Sequence, residues 1–276
     1  TFSKEELFTG EQEFKNIKRI SKNKMKSGLY IVATPIGNLE DISIRSQKTL
    51  EKADIIICEN PKHSLKLLAK LGIKKKMYSL HDHNEDKIIK KIENHVLEYS
   101  VILISDAGSP LISDPGYKLV QFYINNKLHV TTIPGPSSII SSLQISGMAI
   151  DSFKFLGFAP KNKSKFEKFI ENLKSEYQTS IFFVSSHRLI LCLETLEKKL
   201  NKRKISVCKE LTKLNEKIFR GYATEIVKEL KQNTKNLLGE FVILVEGASE
   251  KSSNLETINS SVDEQINILL KKYSLT

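Results

Sequence analysis

The 276 residues are 40% hydrophobic and 27% charged, proportions of a globular chain that exclude wholesale disorder and a coiled coil. The longest apolar runs, 101–104 and 241–245, are far too short to cross a bilayer, and no signal-peptide core opens the chain, so a soluble cytoplasmic protein with no membrane partner is expected. Lys and Arg number 43 against 32 Asp and Glu, a net charge of +11 that favours a polyanionic partner such as nucleic acid, although with only five arginines a lysine-coated solvated surface gives the same sum.

Along the chain, residues 1–26 read as a flexible, basic leader with little apolar periodicity. A β-rich run over 28–34 then leads into a Pro/Gly/Asn loop. Helix is expected over 43–53, strand over 54–58, helix over 61–71 with Leu65, Leu68 and Leu71 on one face, and strand over 76–80. Ile88, Ile89, Ile92 and Val96 recur at helical spacing within 84–97. Residues 101–105 form an almost unbroken apolar run, as in a parallel strand covered on both faces. Helix over 116–125, strand over 128–133 and a helix opening at Pro136 complete the first half, since proline suits a first helical turn.

A second unit is expected from Phe153, with strands over 153–158, 180–184, 205–210, 217–222 and 240–245 and helices over 164–175, 187–200 and 224–231. The expected organisation is a leader (1–26), an N-terminal domain (27–150), a C-terminal domain (151–247), and a linker with a short amphipathic tail helix over 262–272 (248–276). The fold class is α/β in two domains, the first a mainly parallel βα-wound sheet and the second a mixed sheet. Cys58, Cys192 and Cys208 are odd in number and form no C-x-x-C pair, which excludes a disulfide framework and a zinc knuckle.

The chemistry is expected in the loops that leave strands, because open α/β sheets bind ligands beyond the carboxyl ends of their strands. Three such loops stand out: Thr34-Pro-Ile-Gly-Asn-Leu-Glu-Asp41, Ser105-Asp-Ala-Gly-Ser-Pro-Leu-Ile-Ser-Asp-Pro-Gly116 and Pro134-Gly-Pro-Ser-Ser138. Glycine lets backbone approach a ligand and proline stiffens the loop, although each segment alone is also ordinary turn chemistry. Neither a dinucleotide fingerprint, nor a Walker loop, nor a nucleophile elbow occurs. His81-Asp-His-Asn84 is only a weak metal pattern, better read as a polar loop, and no metal is expected.

Val32-Ala-Thr-Pro-Ile-Gly-Asn-Leu-Glu-Asp-Ile42, Leu103-Ile-Ser-Asp-Ala-Gly-Ser-Pro-Leu-Ile-Ser-Asp-Pro-Gly-Tyr117 and Ile133-Pro-Gly-Pro-Ser137 resemble the tetrapyrrole-methylase superfamily. Within it they resemble the branch that 2′-O-methylates a cytidine of 16S rRNA in the small ribosomal subunit. Glu210-Leu-Thr-Lys213, Glu216, Arg220-Gly221 and Gly239-Glu240-Phe241 continue the match, which spans roughly residues 28–247. The resemblance implies S-adenosylmethionine as methyl donor, bound in a cleft between two α/β domains, and a homodimer. Carried over, Pro35 and Gly37 shape one wall, Asp106, Ala107, Gly108 and Ser109 line the methionine side, Pro134, Gly135 and Ser137 lie near the adenosine, and Leu211 and Thr212 close over the donor.

Glu59 and His63 are the candidate bases, in a segment where Asn60-Pro61-Lys62 departs from the family's Glu-Asp-Thr-Arg pattern. Ser186 is a second departure, where the family has proline. Lys62, His63, Arg188, Lys209, Lys213 and Arg220 are candidates for RNA contact, with Phe158 and Tyr117 open between base stacking and core. Two alternatives stay open. One is a corrinoid or porphyrin C-methyltransferase of the same fold, although Thr34-Pro-Ile-Gly37 lacks the glycine-rich first loop of that group and the basic charge suits RNA better. The other is a non-catalytic RNA-binding assembly factor.

Overall fold

The computed structural model describes residues 25–200 and 202–249, in two compact units divided between Ser138 and Ile139. The leader up to residue 24 and the tail helix expected over 262–272 lie outside the described residues.

In the first unit, β1 (Gly28–Val32), β2 (Ile55–Cys58), β3 (Met77–Ser79), β4 (Ser100–Ile104) and β5 (Val130–Ile133) form one sheet in the order β3-β2-β4-β1-β5. Every neighbouring pair is parallel, with Ile56 opposite Ile102 and Tyr30 opposite both Ile102 and Thr131. Successive side chains of a strand point to opposite faces, so a strand covered on both sides needs apolar residues throughout. In β4 Val101 and Leu103 enter the core that holds Ile88 and Ile92 of α3 (Glu85–Ile92) and Leu119 and Tyr123 of α4 (Tyr117–Asn125). Ile102 and Ile104 enter the opposite core, with Leu50 of α1 (Ile44–Lys52) and Leu68 of α2 (Pro61–Lys70). Each fully buried Leu or Ile contributes roughly 1.5–3 kcal/mol.

In the second unit, β6 (Phe153–Phe158), β7 (Thr179–Ser185), β8 (Ile205–Lys209), β9 (Lys217–Gly221) and β10 (Glu240–Val245) are ordered β6-β7-β10-β8-β9. Only β6 and β7 pair in parallel within it, so the sheet is mixed. Phe182, Val207, Phe219 and Ile243 pack one face against α6 (Lys163–Asn172), α7 (Leu189–Leu200) and α8 (Ala223–Lys231). The helix expected to open at Pro136 begins as α5 (Ser138–Ser146). All three cysteines are free and buried.

Candidate functional site

All five strands of the first sheet run the same way, so the loops after β1, β2, β3, β4 and β5 gather at one edge. The first and fourth of these are stitched together by backbone. Thr34 N–H donates to the Gly108 carbonyl at 2.9 Å and Gly108 N–H returns the bond to the Thr34 carbonyl at 3.0 Å. Inside this clasp the Thr34 hydroxyl donates to the Ser105 carbonyl at 3.3 Å. Gly108 sits at φ +78°, and a Cβ there would lie 3.2 Å from Ile36 Cγ2. The fifth loop joins through the Ser109 hydroxyl, which donates to the Pro136 carbonyl at 3.4 Å, and through Gly135, where a Cβ would stand 3.0 Å from Ala33 Cβ. The Pro/Gly/Ser composition thus serves close backbone approach between loops and not merely chain reversal.

The far end of the β4 loop is tied down by Glu85, a buried carboxylate in the first turn of α3. Its two oxygens accept from Gly116 N–H and Leu119 N–H, each at 3.2 Å, at the N-terminus of α4. A carboxylate suits that position, because the first amides of a helix lack partners and carry the positive end of its dipole. Between these anchors Leu111 and Ser113 take φ of +74° and +72°, a conformation that non-glycine residues rarely adopt.

The loop after β2 explains the Asn60-Pro61-Lys62 departure. The Asn60 side-chain oxygen accepts from Lys62 N–H at 3.1 Å and His63 N–H at 3.4 Å, and Pro61 fills the first turn of α2, where its missing N–H costs nothing. The Asn60 amide donates to Asp106 Oδ1 at 3.2 Å, tying this loop to the one after β4. Beside it the Ser79 hydroxyl donates to the Glu59 carbonyl at 3.0 Å and lies 2.8 Å from His81 Nε2.

The charges of three carboxylates, Glu59, Asp106 and Asp114, influence one another here. Burial pushes the Asp114 carboxyl up to about 6, with the neighbouring Glu59 and Asp106 charges adding to it and the Ser105 hydroxyl opposing. Burial likewise raises Glu59, reinforced by Asp106 and Asp82 and opposed by His81. Like charges held together in a partly desolvated site resist ionisation until a cation arrives. The sequence offers His81 only within a polar loop and gives Asp114 no role of its own. Asp114 lies inside the second loop, but nothing in that loop shows that Glu59, 55 positions earlier, sits beside it.

Next to the acidic cluster is a cavity of about 220 Å³, walled by Thr34, Pro35, Ser105 and Asp106 on the sheet side and by His63, Ser64, Lys66 and Lys70 of α2 on the other. Of the sequence-expected residues of this unit, Pro35, His63 and Asp106 therefore share one cavity. Gly108 and Ser109 lie in the clasp beside it, and Glu59 shares the electrostatics of Asp106. Gly37, Ala107, Pro134 and Gly135 are exposed on the same loops, and Ser137 is half-buried. Among the described residues, no group of three or more His, Cys, Asp and Glu is placed to hold a metal ion.

In the second unit, the loop after β8 turns sharply, with Glu210 at φ +50° and Thr212 at +64°. Leu211 is buried, and Thr212 N–H donates to Glu216 Oε2 at 2.6 Å. The RNA candidates of this unit are all engaged within the protein, and Lys209 is corrected to a buried residue. Lys209 is 5% exposed and its ammonium donates to the Lys235 carbonyl at 2.9 Å, so it presents no charge outward. Lys213 is held by Glu210 and Glu240, each at 2.9 Å. The Arg188 guanidinium donates to the Ala159 and Pro160 carbonyls and stacks over Phe166, while Arg220 donates to the Ile145 carbonyl. Tyr117 and Phe158, at 71% and 63% exposure, are surface residues and not core.

A family model described as tetrapyrrole (corrin/porphyrin) methylases matches residues 28–227. A protein of Halalkalibacterium halodurans named ribosomal RNA small subunit methyltransferase I is 40% identical over 227 residues, 82% of this chain and 78% of its own. Proteins of the same name from Rickettsia prowazekii and Thermotoga maritima are 42% and 38% identical, covering 84% and 79% of this chain and 84% and 98% of theirs. Among solved structures, a uroporphyrin-III C-methyltransferase of Thermus thermophilus superposes with a TM-score of 0.55 at 16% identity, over 80% of this chain and 94% of that one. A cobalt-precorrin-4 methyltransferase of cobalamin biosynthesis gives 0.58 at 16% identity, over 79% and 94%.

Proposed function

The chain belongs to the tetrapyrrole (corrin/porphyrin) methylase family, and on that premise we propose that it methylates the ribose 2′-hydroxyl of a cytidine in 16S rRNA of the small ribosomal subunit. The observation that carries the reading is the 38–42% identity, over about four fifths of the chain, to proteins named for small-subunit rRNA methylation. The porphyrin and corrin methyltransferases share the fold at 16% identity, which speaks to architecture alone. A cytoplasmic homodimer is part of the same proposal.

The residues of the first unit fit S-adenosylmethionine. Gly108 and Gly135 let the backbones of three loops approach one another, which leaves their polar groups close together, and Glu59, Asp106 and Asp114 suit a cation. When bound, that donor supplies an already activated methyl group, and the ribose oxygen forms the new C–O bond as the C–S bond breaks toward sulfur. What the protein adds is position and proton transfer. Holding an oxygen in line with the methyl carbon removes roughly 7–11 kcal/mol of barrier. Glu59, raised by burial and by Asp106, is the proposed acceptor of the hydroxyl proton, since a raised carboxyl takes a proton more readily at neutral pH. His63, exposed at the cavity wall, is the second candidate. The remaining donor contacts are proposed for Pro35, Gly37, Ala107, Ser109, Pro134 and Ser137, with Leu211 and Thr212 from the second unit.

The test supplies radiolabelled S-adenosylmethionine and small subunits lacking native methylations, then maps the product by nuclease digestion and mass spectrometry. Label on one cytidine ribose is expected, together with a loss of transfer in Glu59→Gln far larger than its loss of donor binding. Donor binding with no transfer to rRNA overturns the proposed acceptor. Absence of donor binding overturns the enzyme altogether.

A further inference from the structure

We infer that the cavity between α2 and the β4 loop, with the lysine row beside it, is the seat of a ribose-phosphate of the RNA strand; this rests on the RNA-methylating reading above. The cavity is two-sided. Its sheet wall offers acceptors, the Asp106 carboxylate and the Ser105 segment, whereas its helix wall offers Lys66, Lys70 and His63. A sugar phosphate has the complementary pair of chemistries, hydroxyls that donate to a carboxylate and a phosphate that accepts from ammonium groups. At about 220 Å³ the cavity falls below the roughly 300–1,000 Å³ of sites for drug-sized ligands, so it suits one sugar phosphate, with Pro35 and Asp106 on the wall it shares with the proposed donor site.

Ser64 lines the cavity at 2% exposure, and its side chain hydrogen-bonds the Cys58 thiol, so the helix wall is closed behind the cations. The cations carry the second argument. Lys62, Lys66 and Lys70 follow each other at i, i+4 along α2, roughly 6 Å apart on the axis, in a helix without a single carboxylate. Among the described residues none of the three pairs with an acid, as is also true of Lys165 and Lys168 on α6, so what sets the α2 row apart is its place at the cavity. Neighbouring ammoniums in such a row reach different phosphates of one strand.

The experiment measures binding of small-subunit rRNA to the full chain over a salt series, alongside donor binding by calorimetry and methyl transfer. Lys66→Gln with Lys70→Gln is expected to weaken RNA binding about tenfold and to reduce the salt slope by roughly 1.5, with donor affinity unchanged. Lys165→Gln with Lys168→Gln, exposed on α6, removes the same charge and is expected to leave the slope intact. The inference is overturned if the α2 pair leaves RNA binding unchanged, if the α6 pair weakens it equally, or if donor affinity falls instead. Wild-type protein that binds rRNA through α2 but transfers no methyl group overturns the functional reading and leaves this surface standing.

Discussion

Asn60 joins two loops in opposite senses: its side-chain oxygen caps α2 while its backbone amide donates to Asp106 Oδ1 at 3.2 Å. The residue that departs from the family's sequence pattern therefore organises the helix that carries the lysine row. Removing an N-cap of this kind costs about 1 kcal/mol, and aspartate caps as well as asparagine. Asn60→Ala is expected to lose about that much in urea unfolding and to bind S-adenosylmethionine more weakly, because the turn that presents the amide to Asp106 loosens. Asn60→Asp is expected to keep the stability. Equal loss in both variants would refute the capping account.

Asp114 yields a pH prediction. Its folded carboxyl titrates at about 6, above the 3.8 of an ordinary aspartate, so between these values the folded chain binds more protons than the unfolded one. Its contribution to stability therefore falls as pH rises through that window, and the penalty is fully present above about pH 6. Allowing for solvent screening of a half-buried group, Asp114→Asn is expected to gain about 1 kcal/mol at pH 7.5 and nothing near pH 3.5. That is a rise of about 4 °C in melting temperature at the higher pH. The same variant is expected to bind the cationic donor several-fold less tightly at pH 7.5. A variant that gains stability and keeps full donor affinity would remove Asp114 from the donor site.

What the sequence made legible follows from the reach of each signal. The run Val101-Ile-Leu-Ile104 announced a strand buried on both faces because its own side chains alternate between two cores. Pro61 and the spacing of Leu65 and Leu68 announced α2 for equally local reasons. The three glycine- and proline-rich loops were visible as loops. Their convergence was expected only through the family resemblance, because it depends on β4 lying between β2 and β1, an order that no local pattern carries. The proximity of Asp114 to Glu59 comes from that order. Lys209 misled for a related reason: its partner is a backbone carbonyl 26 residues away, so a lysine in a strand read as a surface charge.

Gly108 separates backbone strain from site geometry. It and Gly72 take nearly the same left-handed φ, +78° and +72°, but a Cβ at Gly72 meets nothing within 4 Å whereas one at Gly108 meets Ile36 at 3.2 Å. Alanine in that conformation costs roughly 1–2 kcal/mol in either place. Gly108→Ala is expected to lose that stability and, in addition, about tenfold in donor affinity, since the Thr34–Gly108 clasp must shift. Gly72→Ala is expected to lose the stability alone, read by thermal unfolding and calorimetry side by side. If both variants bind the donor as wild type does, the clasp is no part of its site.

The arginines of the second unit donate to backbone carbonyls, and Arg203 shows what that is worth. Its guanidinium donates to the Glu246 carbonyl at 2.6 Å and to Lys174 at 2.7 Å, with longer bonds to Leu173 at 3.4 Å and Glu176 at 3.5 Å. One side chain thus closes the turn after α6 against the end of β10. Lysine carries the same charge on a single ammonium and cannot span that fork of acceptors. Arg203→Ala is expected to cost about 3 kcal/mol in denaturant unfolding and Arg203→Lys about half of that, while RNA salt slopes stay as in wild type. Such an outcome would assign Arg203 to architecture. An RNA salt slope that falls in Arg203→Lys without loss of stability would reverse the assignment.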